Sequence, residues 1–486
     1  MKKILTLLSL CLLLTTACDK QLAEDPKSSI GTNSFYSNDT EAVLGVNGVY
    51  SWLGTSGAFK SSLWRALDEG TDVIRGRIWV NDPVPTYTLT AFNPGYTSAI
   101  WSTMYRGISN ANLVIDKVSK STGISKAIKD RVIGETKFLR SLYYYYLTGL
   151  FGDVVYYDET NYTIENTQGL PRIAADQIRE KLVESLLDAE SKLPAKFTGA
   201  DVGRATKGAA QTLLTKIYLW QKKWDLAQKK AQEIVDSKTY TLPANYADVF
   251  TEANEFGPEI IFEVDFEPIL NGQDHAAWYE PHNQVGVSPF VSRSWYGTYI
   301  PYTTFLNTIE PNDKRSAAII ATSYNGQPFK VDPTSGIKAW SGPKLWRLNT
   351  QQDNDGGLDM YVFRYADVLL MLAEAANENN SPDKALWGVN EVRKRAFGAD
   401  GVFTAPLAQQ AMRDYLFKER AIEFYGEGQR RLDLIRWGKL VSSVRTAAAT
   451  EDAFIATNIQ DFHVRYPIPA VEIQKNPALN PNNEGY

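Results

Sequence analysis

Two stretches of this chain lie over one another without a gap, 158 residues apart. Leu214 falls on Leu372, Tyr218 on Ala376, Asp225 on Asp383, Ala227 on Ala385 and Ile234 on Val392. Within each stretch apolar residues recur at steps of three and four, the period of a helix with one buried face. The same spacing predicts helices over residues 101–118, 128–150, 175–193, 206–221, 225–237, 363–379, 382–397 and 408–425. Pro194, Pro243 and Pro382 stand at breaks, because proline lacks an amide proton and clashes with the preceding turn. Ser381-Pro382-Asp383 reads as a helix start with proline in its first turn. A lone amphipathic helix cannot bury its own apolar face. A chain patterned this way is therefore expected to fold by stacking helix pairs.

The spacing is similar to that of tetratricopeptide hairpins, with small residues where the helices cross and a short turn between them. Trp224-Asp225-Leu226-Ala227 and Ala231 fit that pattern, although two copies also suit two unrelated hairpins. Residues 54–100 and 251–362 read differently. They carry glycine, proline, asparagine, aspartate and aromatic rings without a long period. Glu259 to Val264 is the best strand candidate there. The expected class is mainly α: a tetratricopeptide-like scaffold of helical hairpins carrying a large irregular region of loops and short strands.

The N-terminus is an address. Lys2 and Lys3 precede an apolar run from Ile4 to Leu14, then Thr15-Thr16-Ala17 and Cys18. That order reads as a secretory signal over residues 1–17. The run is too short for a stable membrane span. Its approach to Cys18 resembles a lipobox, with Thr15 where leucine is usual. In a lipoprotein the cut precedes the cysteine, whose thiol takes a diacylglycerol. Residues 18–34 then form a lipidated tether to a single domain over 35–486.

The chain has a net charge of −5 and a pI near 5.5, which argues against an electrostatic nucleic-acid binder. Both cysteines lie within the first 18 residues and there are three histidines, which leaves no Cys/His zinc site. No Gly-x-Ser-x-Gly elbow, phosphate loop or His-Glu-x-x-His is present. Asp353, Asp355 and Asp359 are closely spaced oxygen donors and weak calcium candidates. They lack the distal glutamate of an EF-hand, and a solvated turn is the plainer reading. Nothing singles out a carboxylate pair for glycoside hydrolysis.

Aromatic residues make up 12% of the chain and are the better clue. Flat rings stack on the apolar faces of sugars, while acids, amides and guanidiniums bond the hydroxyls. The irregular regions mix the two, and the candidate ligand residues are Asp68, Arg77, Trp79, Asn81, Trp278, Trp295, Tyr296 and Trp346. A single aromatic more often packs in a core. Tyr143 to Tyr146 and Tyr425, on predicted helices, are assigned to packing.

Five ordered motifs then point to a family. Glu135-x-x-Phe138-Leu139-Arg140-x-x-Tyr143-Tyr144 precedes Phe151-Gly152-Asp153-Val154, and Arg204-Ala205-Thr206-Lys207-Gly208 follows. Arg364-Tyr365-Ala366-Asp367-Val368-Leu369-Leu370 comes next, then Glu419-Arg420-x-x-Glu423-Phe424-x-Gly426-Glu427-Gly428-x-Arg430-Arg431-x-Asp433. The tail runs Tyr466-Pro467-Ile468-Pro469 to Asn482-x-x-Gly485-Tyr486. Together these resemble the SusD/RagB family of outer-membrane nutrient-binding lipoproteins. The resemblance implies a SusD-like fold, no enzyme activity and no cofactor. It also implies a surface-exposed outer-membrane lipoprotein that passes a glycan to a SusC-like TonB-dependent transporter and acts as its lid. The charged signature residues are expected to form buried pairs that hold the hairpins. A secreted glycoside hydrolase and a scaffold for protein assembly are the alternative readings.

Overall fold

A computed structural model describes residues 35–77, 82–161, 169–282, 284, 297–332, 336–346 and 356–486. Cys18 and the tether lie outside the described residues. The chain enters through α1 (Asp39–Tyr50), whose first turn is capped by the Asn38 side chain accepting from the Glu41 amide at 3.0 Å. A 3-10 turn over Ser51–Gly54 leads to α2 (Ser62–Asp68), β1 (Ile74–Gly76), α3 (Thr97–Lys120) and α4 (Lys126–Phe151). Then come α5 (Ala175–Lys192), α6 (Lys207–Trp220) and α7 (Trp224–Ser237). The irregular region holds β2 (Ile260–Val264), the short α8 (His275–Tyr279), β3 (Tyr299–Pro301) and β4 (Met360–Arg364). The last third carries α9 (Tyr365–Glu378), α10 (Pro382–Phe397), α11 (Gln409–Glu423), α12 (Arg430–Arg436), α13 (Leu440–Ala448) and α14 (Ala470–Lys475). All eight predicted helices are present, and the predicted strand is β2. Among the described residues no helix is long and apolar enough to cross a membrane.

Helices α3 to α7 pack each against the next, and α7 then packs against α9, which pairs with α10. The two sequence-matched hairpins, α6–α7 and α9–α10, are therefore neighbours, although the irregular region separates them in sequence. Their turns match in conformation. Lys222 and Asn380, at equivalent places, both have positive φ, of 55° and 53°. Behind them the Lys223 amide donates to the Tyr218 carbonyl at 2.9 Å, and the Ser381 amide to the Ala376 carbonyl at 2.8 Å. This is a helix C-terminus closed by a left-handed residue. Ala227, Ala385, Ile234 and Val392 are all buried, as the repeat predicts. At Gly388 a Cβ would sit 2.7 Å from the Leu369 carbonyl oxygen, so the α9–α10 crossing needs a glycine there.

The charged signature residues form a buried network behind this stack. Arg364 bonds Glu259 at 2.6 Å, Glu423 at 2.7 Å and Glu427 at 2.6 Å. Arg395 bonds Glu259 at 2.5 Å and also Glu423. Arg315 joins Glu423 to Glu419 and Asp313. Arg420 bridges Asp367 of α9 and Asp433 of α12, each at 2.7 Å. These pairs tie the irregular region to the helices through β4, which ladders antiparallel onto β2 with Met360 opposite Val264 and Arg364 opposite Ile260. The tail folds back onto the scaffold: Tyr466 donates to the Ala66 carbonyl at 3.0 Å, and the Asn483 amide donates to the carbonyls of Phe151 and Tyr466.

Candidate functional site

The loop face is organised by the β1–β3 ladder. Ile74 lies opposite Pro301, Arg75 opposite Ile300 and Gly76 opposite Tyr299. The Arg77 amide extends the ladder by donating to the Thr298 carbonyl at 2.8 Å. Antiparallel pairing thus brings the ends of two distant segments side by side at Arg77 and Gly297. From there the chain runs into residues 78–81 and 285–296. Trp79, Asn81, Trp295 and Tyr296 belong to those stretches and lie outside the described residues.

Beside that opening, Arg65 of α2 is held between two rings. Its guanidinium carbon is 4.2 Å from the Tyr96 ring centroid and 4.7 Å from that of Trp278. Trp278 in turn stacks on Tyr299, with centroids 5.3 Å apart and planes 22° apart. Two carboxylates neutralise the guanidinium: Glu69 at 2.7 Å and Asp82 at 3.0 Å. Burial opposes the charge on Arg65, but Glu69 and the nearby phenols of Tyr299 and Tyr96 outweigh it and hold the guanidinium firmly protonated. Underneath, Trp64 meets His275 edge-on at 4.3 Å and Tyr279 at 5.7 Å, all three buried. Trp278, Tyr96, Asp82 and Asp274 are half-buried. The surface they form has ring edges, a braced guanidinium and carboxylates in one place. That is the chemistry a sugar needs: an apolar platform with acceptors and donors at its margin.

The sequence-selected residues divide. Trp278 lies on this surface. Asp68, Arg77 and Trp346 do not, and their assignment as ligand residues is corrected by their burial. Asp68 is fully buried and accepts from the Gly428 amide at 2.7 Å, joining α2 to the loop before α12. Arg77 pairs with Asp332 at 2.9 Å, both side chains 1% exposed. Trp346 packs with Ile300, Ala321, Phe329 and Trp340, and its indole N–H donates to the Ser341 carbonyl at 3.0 Å. Asp359 sits with Glu255 and Asp265, their donor oxygens all within 4.8 Å. Its expected companions Asp353 and Asp355 lie outside the described residues. His275 is buried in α8. Arg65 and Tyr96 escaped the sequence reading. Their only local signal was the i,i+4 pair of Arg65 and Glu69, and Trp278 and Tyr299 are more than two hundred residues away from Arg65 in the chain.

Burial pushes the Asp68 carboxyl up to about 7, against the lowering effect of the Gly428 amide. A group raised in the folded state holds its proton while the unfolded chain releases it, so stability from Asp68 falls as pH rises from about 4 to 7. Asp68→Asn keeps an oxygen for Gly428 and carries no charge. Its Tm is expected to match or exceed wild type at pH 8, with the advantage shrinking toward pH 5. Thermal melts over that range test this; an Asn variant that loses stability equally at both pH values would refute it.

Among known proteins, residues 240–486 match the SusD family. Residues 79–219 match a family described as starch-binding and associating with the outer membrane. A SusD-like protein of Formosa agariphila is 31% identical, over 97% of this chain and 97% of its own. The starch-binding protein SusD of Bacteroides thetaiotaomicron is 24% identical, over 84% of this chain and 82% of its own. Among solved structures, a SusD homolog from Bacteroides thetaiotaomicron superposes with a TM-score of 0.83 at 22% identity, covering 94% of this chain and 98% of that one.

Proposed function

The chain belongs to the SusD family, and from that premise we propose that it captures an oligo- or polysaccharide at the cell surface and delivers it to a TonB-dependent outer-membrane transporter. The observation that carries the reading is the half-buried Trp278, braced by Arg65 and Tyr299 at the opening where two aromatic-bearing segments leave the β1–β3 ladder. The relative named starch-binding supports a glycan as the ligand. Trp79, Asn81, Trp295 and Tyr296 are the further residues we propose as ligand contacts.

The protein works by binding and performs no covalent chemistry. Glu69 and Asp82 hold the Arg65 guanidinium against the rings of Tyr96 and Trp278, which suits recognition. Purified protein incubated with a bound polysaccharide is expected to release no reducing ends; release would establish the hydrolase reading instead. As a lid, the domain is held by acylated Cys18, and residues 19–34 give it room to swing over the barrel. Cys18→Ala is expected to yield folded protein that leaves the membrane fraction. Retention unaffected by that substitution would refute the anchor.

A further inference from the structure

A second aromatic cleft lies on the scaffold and shares no residue with the loop face. It is bounded by the Ser51–Gly54 turn, by α3 and by the C-terminal α14, and encloses about 530 Å³. Specific small-molecule sites are of this size, apolar with a few placed polar groups. Its wall is a stripe on α3. Trp101, Tyr105 and Ser109 repeat at four-residue steps, as do Ser102, Arg106 and Asn110, so both rows lie along one face. Trp101 meets Tyr105 at 5.0 Å, and Tyr105 stacks on Tyr157 at 5.9 Å with planes 21° apart. Across the cleft, Arg106 sits 5.6 Å from the Trp52 ring centroid.

The packing of these rings is ordinary. The polar groups beside them are not. The Arg106 guanidinium is exposed and makes neither an ion pair nor a hydrogen bond to another described residue. The Asn110 amide, one turn on, is also without a hydrogen bond there. Opposite them, Glu472 and Lys475 of α14 pair at 2.9 Å at the solvent edge. Other scaffold arginines are tied either to carboxylates, as Arg420 is to Asp367 and Asp433, or to carbonyls, as Arg431 is to His463. Here donors and an acceptor line a ring-walled cleft with capacity to spare.

We propose that this cleft is a second saccharide site, taking a pyranose unit of the captured glycan with its apolar face toward Trp52 and Tyr105. Its hydroxyls are bonded by Arg106, Asn110 and Glu472. The proposal rests on the glycan-binding reading above. Two sites on one domain would hold a polymer by two weak contacts, raising retention without a tight single site.

The test uses R106A/N110A, which removes an exposed and a half-buried side chain and costs the fold only the Arg106 contact with Trp52; circular dichroism checks that the fold persists. Retardation is measured in native gels containing laminarin, amylopectin, xylan, pectin or alginate, with Trp278→Ala as the loop-face control. On the polysaccharide that wild type binds best, R106A/N110A is expected to weaken retardation roughly fivefold, the effect of losing a hydrogen bond or two. Trp278→Ala should weaken it separately, and the combined variant should lose it. Weakening by Trp278→Ala alone overturns the cleft and leaves the loop-face reading standing. Weakening by R106A/N110A alone does the reverse. Wild type retarded by none of the five overturns both. A variant that binds glycan normally but no longer co-purifies with a transporter makes the cleft a protein-docking face and overturns the proposal.

Discussion

Glu423→Ala is expected to cost about 3–5 kcal/mol of folding stability, because it opens a buried ion network at its centre. Glu423 is fully buried at the C-terminal end of α11. One carboxylate oxygen bonds Arg364 and Arg395, and the other bonds Arg315 at 2.8 Å. Burial opposes its ionisation, but the three guanidiniums outweigh that and hold the carboxyl well below its usual range. Truncation removes the acceptor that three guanidiniums share and leaves their N–H groups toward it unbonded in a water-poor interior. Glu259, Glu419, Glu427 and Asp313 remain, but each already has a partner. The contrast is Glu378→Ala, which breaks a surface pair with the 43%-exposed Arg413. That pair lies in high dielectric and its loss is expected to cost under about 1 kcal/mol. Denaturant titration of the two variants at neutral pH separates the cases. A cost for Glu423→Ala no larger than that for Glu378→Ala would show that the network is solvated and compensates internally. Because the Glu423 carboxyl is depressed, its stabilisation is full above the unfolded carboxylate range and is lost progressively as pH falls from there through its folded value. Wild type is therefore expected to retain this contribution in mild acid.

Trp278→Ala is expected to weaken glycan binding by about 1.5–3 kcal/mol, roughly ten- to a hundredfold, from the loss of a large partly exposed ring. The fold should persist. Arg65 keeps Glu69 and Asp82, and Tyr299 keeps its place in β3 opposite Gly76. Circular dichroism should therefore be unaltered while affinity in calorimetry or gel retardation falls. Trp346→Ala is the informative contrast. That ring is 4% exposed and packs against Trp340 and Phe329, so its removal acts on stability. If Trp278→Ala binds every glycan as wild type does, the ligand surface lies elsewhere.

The helical half of the molecule was legible because its signal is local. The 3.6-residue period placed the eight helices, and the 158-residue offset anticipated matched hairpins; the structure adds that their turns share a left-handed residue, Lys222 and Asn380. The charged motifs were legible as buried pairs for a related reason: Arg364, Asp367, Glu419, Arg420 and Glu423 sit near helix ends that the pattern had already placed. The loop face was only half legible. Composition marked the irregular regions and picked out Trp278, which the fold leaves half-buried beside Arg65. It also selected Asp68, Arg77 and Trp346, whose residue types suit a ligand but whose surroundings enclose them.

The sequence by itself determined the class of the protein: a stack of helix pairs with an irregular, ring-rich insertion. Amphipathic period, proline breaks and turn chemistry act over a few residues, and can be read one segment at a time. Only the tertiary structure decided which polar and aromatic side chains meet solvent. Exposure is a property of partners, and here the partners are remote: Gly428 for Asp68, Asp332 for Arg77, Arg65 and Tyr299 for Trp278, and Trp52 for Arg106. A charged or polar group costs free energy to bury unless such a partner is present, whereas a ring is covered wherever the fold brings apolar neighbours to it. The role of each is therefore set by the chain folding back on itself, which no local pattern records.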